Sequence, residues 1–108
     1  MSSPFPSPSA AAGLVRSVTA QEMLDAQQAG ATLLDVREPW ETETGIVAGS
    51  TVIPLGGFLA DPAQVGDGPV VVICAHGIRA RTAAEALRAR GVDASVLEGG
   101  LAAWTSGA

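Results

Sequence analysis

Short apolar runs alternate with amphipathic segments along the chain, at the lengths that strands and helices have. Four runs have the length of a strand: residues 31–36, 51–53, 69–74 and 94–97. The third contains Val70-Val71-Val72-Ile73, which is apolar at every position and predicts a strand buried on both faces of a sheet. In residues 79–90 the apolar side chains recur at helical spacing, at Ala80, Ala83, Ala84 and Leu87. This spacing predicts a helix with one apolar side.

Capping and turn signals mark further helices. Thr19 and Glu22 form a Thr-x-x-Glu capping box ahead of a short helix, and Gly30 is placed to end it. Proline at a first helical position, with acidic neighbours, predicts a surface helix within residues 38–45. A single helical turn is predicted at residues 58–60. Leu101 to Trp104 begin a last helix after a Gly-Gly turn. This helix is expected to pack the indole of Trp104 on the core.

The alternation of strands and helices predicts an α/β fold with a parallel sheet, since right-handed crossovers join parallel strands. We predict one domain over residues 15–108, preceded by a mobile tail rich in proline and serine at residues 1–14. Ligands of such sheets bind beyond the carboxyl ends of the strands. Cys74 directly follows the most apolar strand and therefore stands where this rule places chemistry.

Composition and charge disfavour several classes of function. The formal net charge of −5 opposes binding to nucleic acid or anionic lipid. All six basic residues are arginines, so the chain has no Schiff-base amine and no Walker-type phosphate lysine. A lone cysteine cannot form an intramolecular disulfide and is typical of a reducing compartment, so we expect a cytoplasmic protein. No apolar run is long enough for a membrane span, and no signal peptide is evident.

The segment Cys74-Ala75-His76-Gly77-Ile78-Arg79 leads from a buried strand into the start of a helix. Its backbone N–H groups lack helical partners and are expected to converge as a cradle for an anion. Gly77 permits the tight curvature, and the helix end together with Arg79 favours a thiolate at Cys74. Such a thiolate can attack a sulfane sulfur, become a persulfide and pass the sulfur on. One Cys and one His are a poor ligand set, so no metal is expected.

Several other residues have two interpretations each. His76 either bonds substrate or tunes the thiolate, or it is a loop residue that points to solvent. Arg81, with Glu85 four residues later, is expected to form a solvated pair on the polar side of its helix. Asp35 and Arg37 end a neighbouring strand and either line the pocket or have a structural role, as an ion pair or through loop hydrogen bonds; we favour the structural role.

Four motifs in order resemble the rhodanese family, over about residues 18 to 105. They are Leu34-Asp35-Val36-Arg37-Glu38-Pro39-Trp40-Glu41, Gly45-Ile46-Val47-Ala48-Gly49-Ser50, the loop Cys74 to Arg79, and Leu97-Glu98-Gly99-Gly100-Leu101-Ala102-Ala103-Trp104. The resemblance implies a central parallel sheet of about five strands flanked by helices on both faces. It also implies a catalytic Cys74 that cycles through a persulfide, and a loop that binds substrate. The loop's binding residues are then Ala75, His76, Gly77, Ile78 and Arg79.

The resemblance further implies thiosulfate or a related sulfane donor, and cyanide, a thiol or a protein thiol as acceptor, with no cofactor. Two positions depart from the family pattern. Ile46 replaces a histidine, and Ala75 stands at a loop position that is frequently basic. Both departures remove positive or polar groups, which predicts weaker binding of a dianion and favours a less charged persulfide donor.

Two other functions compete with sulfur transfer. A related class of phosphatases and arsenate reductases has five residues between the loop cysteine and an arginine that clamps the phosphate. Here four residues separate Cys74 from Arg79, and Ala80 occupies the position where that class has its arginine. The loop is therefore one residue too short for phosphate or arsenate. The second alternative is a non-enzymatic module that binds a partner or relays sulfur from a donor protein, because fold and motif do not fix partners.

Overall fold

The computed structural model describes residues 15–107, with side chains as far as Ala103. The predicted tail at residues 1–14 and the predicted docking of Trp104 lie outside this description. Five strands are present in it: β1 Arg16–Val18, β2 Thr32–Asp35, β3 Thr51–Val52, β4 Val70–Ile73 and β5 Ala94–Leu97. The α-helices are α1 Ala20–Gln28, α2 Pro39–Thr42, α3 Leu55–Ala60, α4 Ile78–Ala89 and α5 Gly100–Gly107, and a 3₁₀ turn covers Pro62–Val65.

The five strands form one parallel sheet in the order β1-β5-β4-β2-β3. The apolar strand β4 lies in the middle and is buried at all four positions, as predicted. Strand β1 was not predicted, because only Val18 of its three residues is buried and its first two are exposed. It forms by pairing with β5, where Ser17 lies opposite Val96. An edge strand of this length carries little periodic signal of its own.

Helices cover both faces of the sheet, which confirms the predicted α/β architecture. On one face, α4 packs its buried residues against Val70 and Val72 of β4, and Phe58 of α3 joins them. On the other face, Met23 of α1 and Leu101 of α5 pack on the alternate residues of β4. Successive strand side chains point to opposite faces, so β4 contributes to both apolar clusters. Burial of each large apolar side chain stabilises the fold by roughly 1.5 to 3 kcal/mol.

The predicted helix starts and ends are largely as expected. The Thr19 hydroxyl accepts the Glu22 N–H at 3.1 Å, and the Glu22 carboxylate accepts the Thr19 N–H at 2.8 Å, so the capping box is confirmed. Helix α3 is longer than the predicted single turn and begins at Leu55. Gly56 and Gly57 have low helix propensity, so the sequence does not indicate the start of this helix. In the fold, complete burial of Phe58 favours the helix.

Candidate functional site

Cys74 is the first residue after β4, and only 1% of it is exposed. Its Sγ accepts two backbone N–H groups, from Gly77 at 2.9 Å and from Ala80 at 3.3 Å. Gly77 is the N-cap of α4 and adopts a φ of +99°, a conformation that favours glycine and closes the loop. The sulfur is therefore held at the amino end of α4, where backbone N–H groups are free to stabilise a negative charge.

The carbonyl groups of the same loop are bound from the outside by α5. The Leu101 N–H donates to the Cys74 carbonyl oxygen, and the Ala102 N–H donates to that of Ala75, both at 2.9 Å. Gly100 permits this approach, because a Cβ there would overlap the Ala75 carbonyl group. Because the two carbonyl groups bind α5, they point away from the sulfur, and the loop N–H of Gly77 points toward it. The sequence indicates the turn through its Gly-Gly pair but gives no sign of these contacts.

Arg79 forms a bidentate ion pair with Glu41 of α2. Its two terminal nitrogens lie 2.6 and 2.7 Å from the carboxylate oxygens. This hydrogen bonding lowers the pKa of Glu41 to about 2, against the opposite effect of burial, and the Glu38 N–H adds to the lowering. Glu41 in turn raises the pKa of Arg79. Arg79 therefore braces the loop against α2, and its contact with substrate stays a prediction.

Asp35 and Arg37 form a buried ion pair at the carboxyl end of β2. Arg37 Nε and Nη2 donate to the Asp35 carboxylate at 2.8 to 3.1 Å, and Asp35 is completely buried. The guanidinium also donates to the carbonyl oxygens of Gly45 at 2.8 Å and Glu41 at 3.3 Å. These contacts match the structural interpretation: the pair secures the turn after α2, and with it the carboxylate that holds Arg79.

A groove of about 260 Å³ lies beside the loop, on the side of β1 and β5. Its walls include loop residues His76, Gly77 and Ile78, the paired strand residues Ser17 and Val96, and Arg81 of α4. His76 is exposed and lines this groove, and its contact with substrate stays a prediction.

The predicted pair between Arg81 and Glu85 is wrong: in the part of the chain that the structure describes, Arg81 forms no ion pair. An arginine four residues ahead of a glutamate is the less favourable orientation on a helix.

Three large apolar side chains in these segments are exposed: Ile78 of the loop at 78%, Trp40 of α2 at 69%, and Ile46, which replaces the family's histidine, at 46%. Within the described residues, no group of three or more His, Cys, Asp or Glu side chains is placed to hold a metal ion. None of the helices described is both long and apolar enough to cross a membrane.

The sequence model of the rhodanese-like domain family matches residues 19–107. The chain belongs to this family. The rhodanese-like chain is 37% identical to uncharacterized protein YqhL of Bacillus subtilis (strain 168). The aligned segment has 76 residues and covers 68% of this chain. It spans only 60% of that relative's length.

Solved structures share the rhodanese-like fold. A rhodanese-related protein from Thermoplasma volcanium is 34% identical with a TM-score of 0.78, over 85% of this chain and 92% of that one. Reduced Bacillus anthracis CoADR-RHD is 32% identical with a TM-score of 0.76, over 82% of this chain and 16% of that one. The human single-domain sulfurtransferase TSTD1 is 24% identical with a TM-score of 0.69, over 85% of this chain and 96% of that one. At this identity the likeness shows the shared fold alone.

Proposed function

We propose that this chain is a sulfurtransferase in which Cys74 carries sulfane sulfur as a persulfide. The observation that carries the proposal is the pair of N–H groups, from Gly77 and Ala80, that donate to Cys74 Sγ at the carboxyl end of β4. Two N–H donors that face one sulfur atom can stabilise the negative charge that this atom bears during a displacement. Membership of the rhodanese-like family, whose domains act on sulfur donors and thiol acceptors, supports the same chemistry.

The reaction has two displacement steps. In the first, the Cys74 thiolate attacks the sulfane sulfur of thiosulfate or of a persulfide. The donor's S–S bond breaks, and sulfite or a thiolate leaves with the electron pair. In the second, a thiolate or cyanide attacks the outer sulfur of the Cys74 persulfide, and the Cys74 thiolate leaves with the electron pair of the broken S–S bond. The products are a new persulfide or thiocyanate, and the enzyme returns to its starting form.

The cradle serves both steps by stabilising negative charge on sulfur. Sγ is anionic before the first step and again as the leaving group of the second, and the same two N–H groups face it each time. Because α5 and the Arg79–Glu41 pair fix the loop beforehand, these donors need no rearrangement during the reaction. We further propose a cytoplasmic location, since a lone buried thiol suits a reducing compartment.

The position of Arg79 argues against a phosphatase. In a phosphatase loop the arginine turns toward the bound phosphate, whereas here both of its terminal nitrogens hold Glu41. Reorienting it would leave the Glu41 carboxylate, which is only 12% exposed, without its cation.

The test is intact-mass measurement after incubation with thiosulfate and, separately, with a small persulfide. We expect wild type to gain one sulfur atom that cyanide removes, and Cys74→Ser, which keeps the side-chain shape, to gain none. Steady-state transfer from thiosulfate to cyanide then separates an enzyme from a relay module, which would load sulfur but turn over slowly. Absence of any gain with both donors would sink the proposal, and hydrolysis of an aryl phosphate by wild type would favour the phosphatase instead.

A further inference from the structure

The loop between β4 and α4 contains one permanent charge, and the fold neutralises it. Among the loop residues that follow Cys74, only Arg79 has a side chain that is always ionised. Its two terminal nitrogens both bind the Glu41 carboxylate, at 2.6 and 2.7 Å. The pair is a bidentate one, and its net charge beside the loop is close to zero.

Arg79 lies close enough to the sulfur for its charge to act there. The next residue, Ala80, donates its N–H to Cys74 Sγ. Hydrogen bonding to Glu41 is the largest cause of the raised pKa of Arg79, and the charge on Cys74 contributes as well. This attraction is mutual, so a guanidinium without its carboxylate would attract an anion that approaches Sγ. Glu41 cancels most of that attraction.

The carboxylate that neutralises Arg79 is itself held in place. Glu41 Oε1 also accepts the Glu38 N–H at 2.8 Å, within the capping box of α2. The backbone carbonyl oxygen of Glu41 accepts a hydrogen bond from Arg37 at 3.3 Å, and the side chain is only 12% exposed. An exposed surface pair opens readily, whereas this one is fixed on the side of the carboxylate.

Two other arginines of this region do not supply the missing charge. The side chain of Arg37 is 7% exposed and forms an ion pair with Asp35. Arg81 lines the groove on the side of β1 and β5, and Cys74 is not among the described residues that line it. Arg79 is therefore the cation placed to act at the sulfur.

We propose that Glu41 determines the donor specificity of this site: by neutralising Arg79 it disfavours the dianion thiosulfate and favours persulfides, which bear at most one negative charge. The inference rests on the proposed sulfur transfer. In both cases the Cys74 thiolate attacks the sulfane sulfur and a new S–S bond forms. The donor's own S–S bond breaks, and its electron pair leaves on sulfite or on a thiolate. Because electrostatic attraction scales with the charge of the donor, a free Arg79 would favour thiosulfate.

The kinetic test compares sulfur loading from thiosulfate and from the persulfide of 2-mercaptoethanol, followed by intact mass. Glu41→Gln keeps the shape of the side chain and removes its charge. We expect the thiosulfate-to-persulfide ratio of second-order rate constants to rise roughly 5-fold in this variant, the effect of a partly exposed ion pair. The rise should shrink in about 0.5 M salt, which screens the charge.

Glu43→Gln is the matched control. It removes the same charge from an exposed residue that does not pair with Arg79, and it is expected to keep the wild-type ratio. The double variant Glu41→Gln/Arg79→Gln should also return to about that ratio, because the freed cation is gone. A loop that was merely loosened would slow loading from both donors alike. Normal loading with an unchanged ratio in Glu41→Gln would overturn the inference and leave the proposed function in place.

Alkylation of Cys74 tests the charge at the site without sulfur transfer. Iodoacetate and iodoacetamide are similar in shape, and only iodoacetate is an anion; the thiolate displaces iodide from each and forms a thioether. We expect the iodoacetate-to-iodoacetamide rate ratio to rise roughly 5-fold in Glu41→Gln and to stay unchanged in Glu43→Gln. This rise without any sulfur loading in wild type would reject the proposed function and retain the control of charge by Glu41. No rise in this ratio would reject that control.

Discussion

Replacing Gly100 with alanine tests whether α5 holds the sulfur cradle. Gly100 has a φ of +68°, and an added Cβ would overlap the Ala75 carbonyl group. Gly91, which follows α4, has a φ of +85° but nothing within 4 Å of an added Cβ. The two glycines therefore share the conformational strain, and only Gly100 adds a steric clash with the loop.

The expected loss of stability can be worked out for each variant. Left-handed backbone costs alanine about 1 to 2 kcal/mol, partly offset by the lower entropy of its unfolded state, so Gly91→Ala is expected to lose about 1 kcal/mol. At Gly100 the crowding adds about 1 to 3 kcal/mol. Displacing α5 also weakens two hydrogen bonds to the loop, at about 1 kcal/mol each. Gly100→Ala is therefore expected to lose about 4 to 6 kcal/mol.

Urea unfolding gives the free energies, and the rate of sulfur loading on Cys74 gives the state of the cradle. We expect Gly100→Ala to load sulfur far more slowly than Gly91→Ala under conditions where both are folded. If the two variants lost the same stability and loaded sulfur at the same rate, the loop would not depend on α5 and our explanation of the site would be wrong.

Three further predictions concern stability. Glu41→Gln should cost about 1 to 2 kcal/mol at pH 7, after discounting for the one-third exposure of Arg79. The pKa of Glu41 is lowered to about 2, so the difference in unfolding free energy between the variant and wild type should be complete above about pH 4.5 and vanish as the pH falls through 2. Urea unfolding at several pH values measures this difference. Asp35→Asn should cost about 3 to 5 kcal/mol by urea unfolding, since it leaves a buried guanidinium without its counter-charge. Thr19→Ala should cost about 1 kcal/mol in the same assay, and a loss near zero would mean that the capping box is not stabilising.

The parts of the fold that the sequence predicted well are those with strong local periodicity. Strand β4 and helix α4 contain buried residues at the spacing of their own element, so they are visible without knowledge of their neighbours. Strand β1 and the start of α3 were missed, because each forms through contacts with distant segments. Propensity alone is too weak to decide such short elements.

The candidate site divides along the same line. The placement of Cys74 followed from local order, a buried strand followed by a glycine-containing loop and a helix. The partner of Arg79 did not, since Glu41 is 38 residues away in sequence and has no local signal that connects the two. Arg81 shows the opposite error: a local spacing suggested a pair with Glu85, whereas the tertiary structure places the arginine at a groove. Local patterns predicted where Cys74 lies, and only the folded chain shows what surrounds it.

The hydrogen bonds from α5 to the loop have a consequence for how the protein is made. The carbonyls of Cys74 and Ala75 are bound by Leu101 and Ala102, which lie far later in the chain. A ribosome-bound chain that has emerged only as far as Glu98 contains the cysteine and every loop residue, yet nothing that can turn those carbonyls outward. Such a chain already contains the Gly77 and Ala80 donors but lacks the support of α5, so we expect its loop to become fixed only once synthesis has delivered α5.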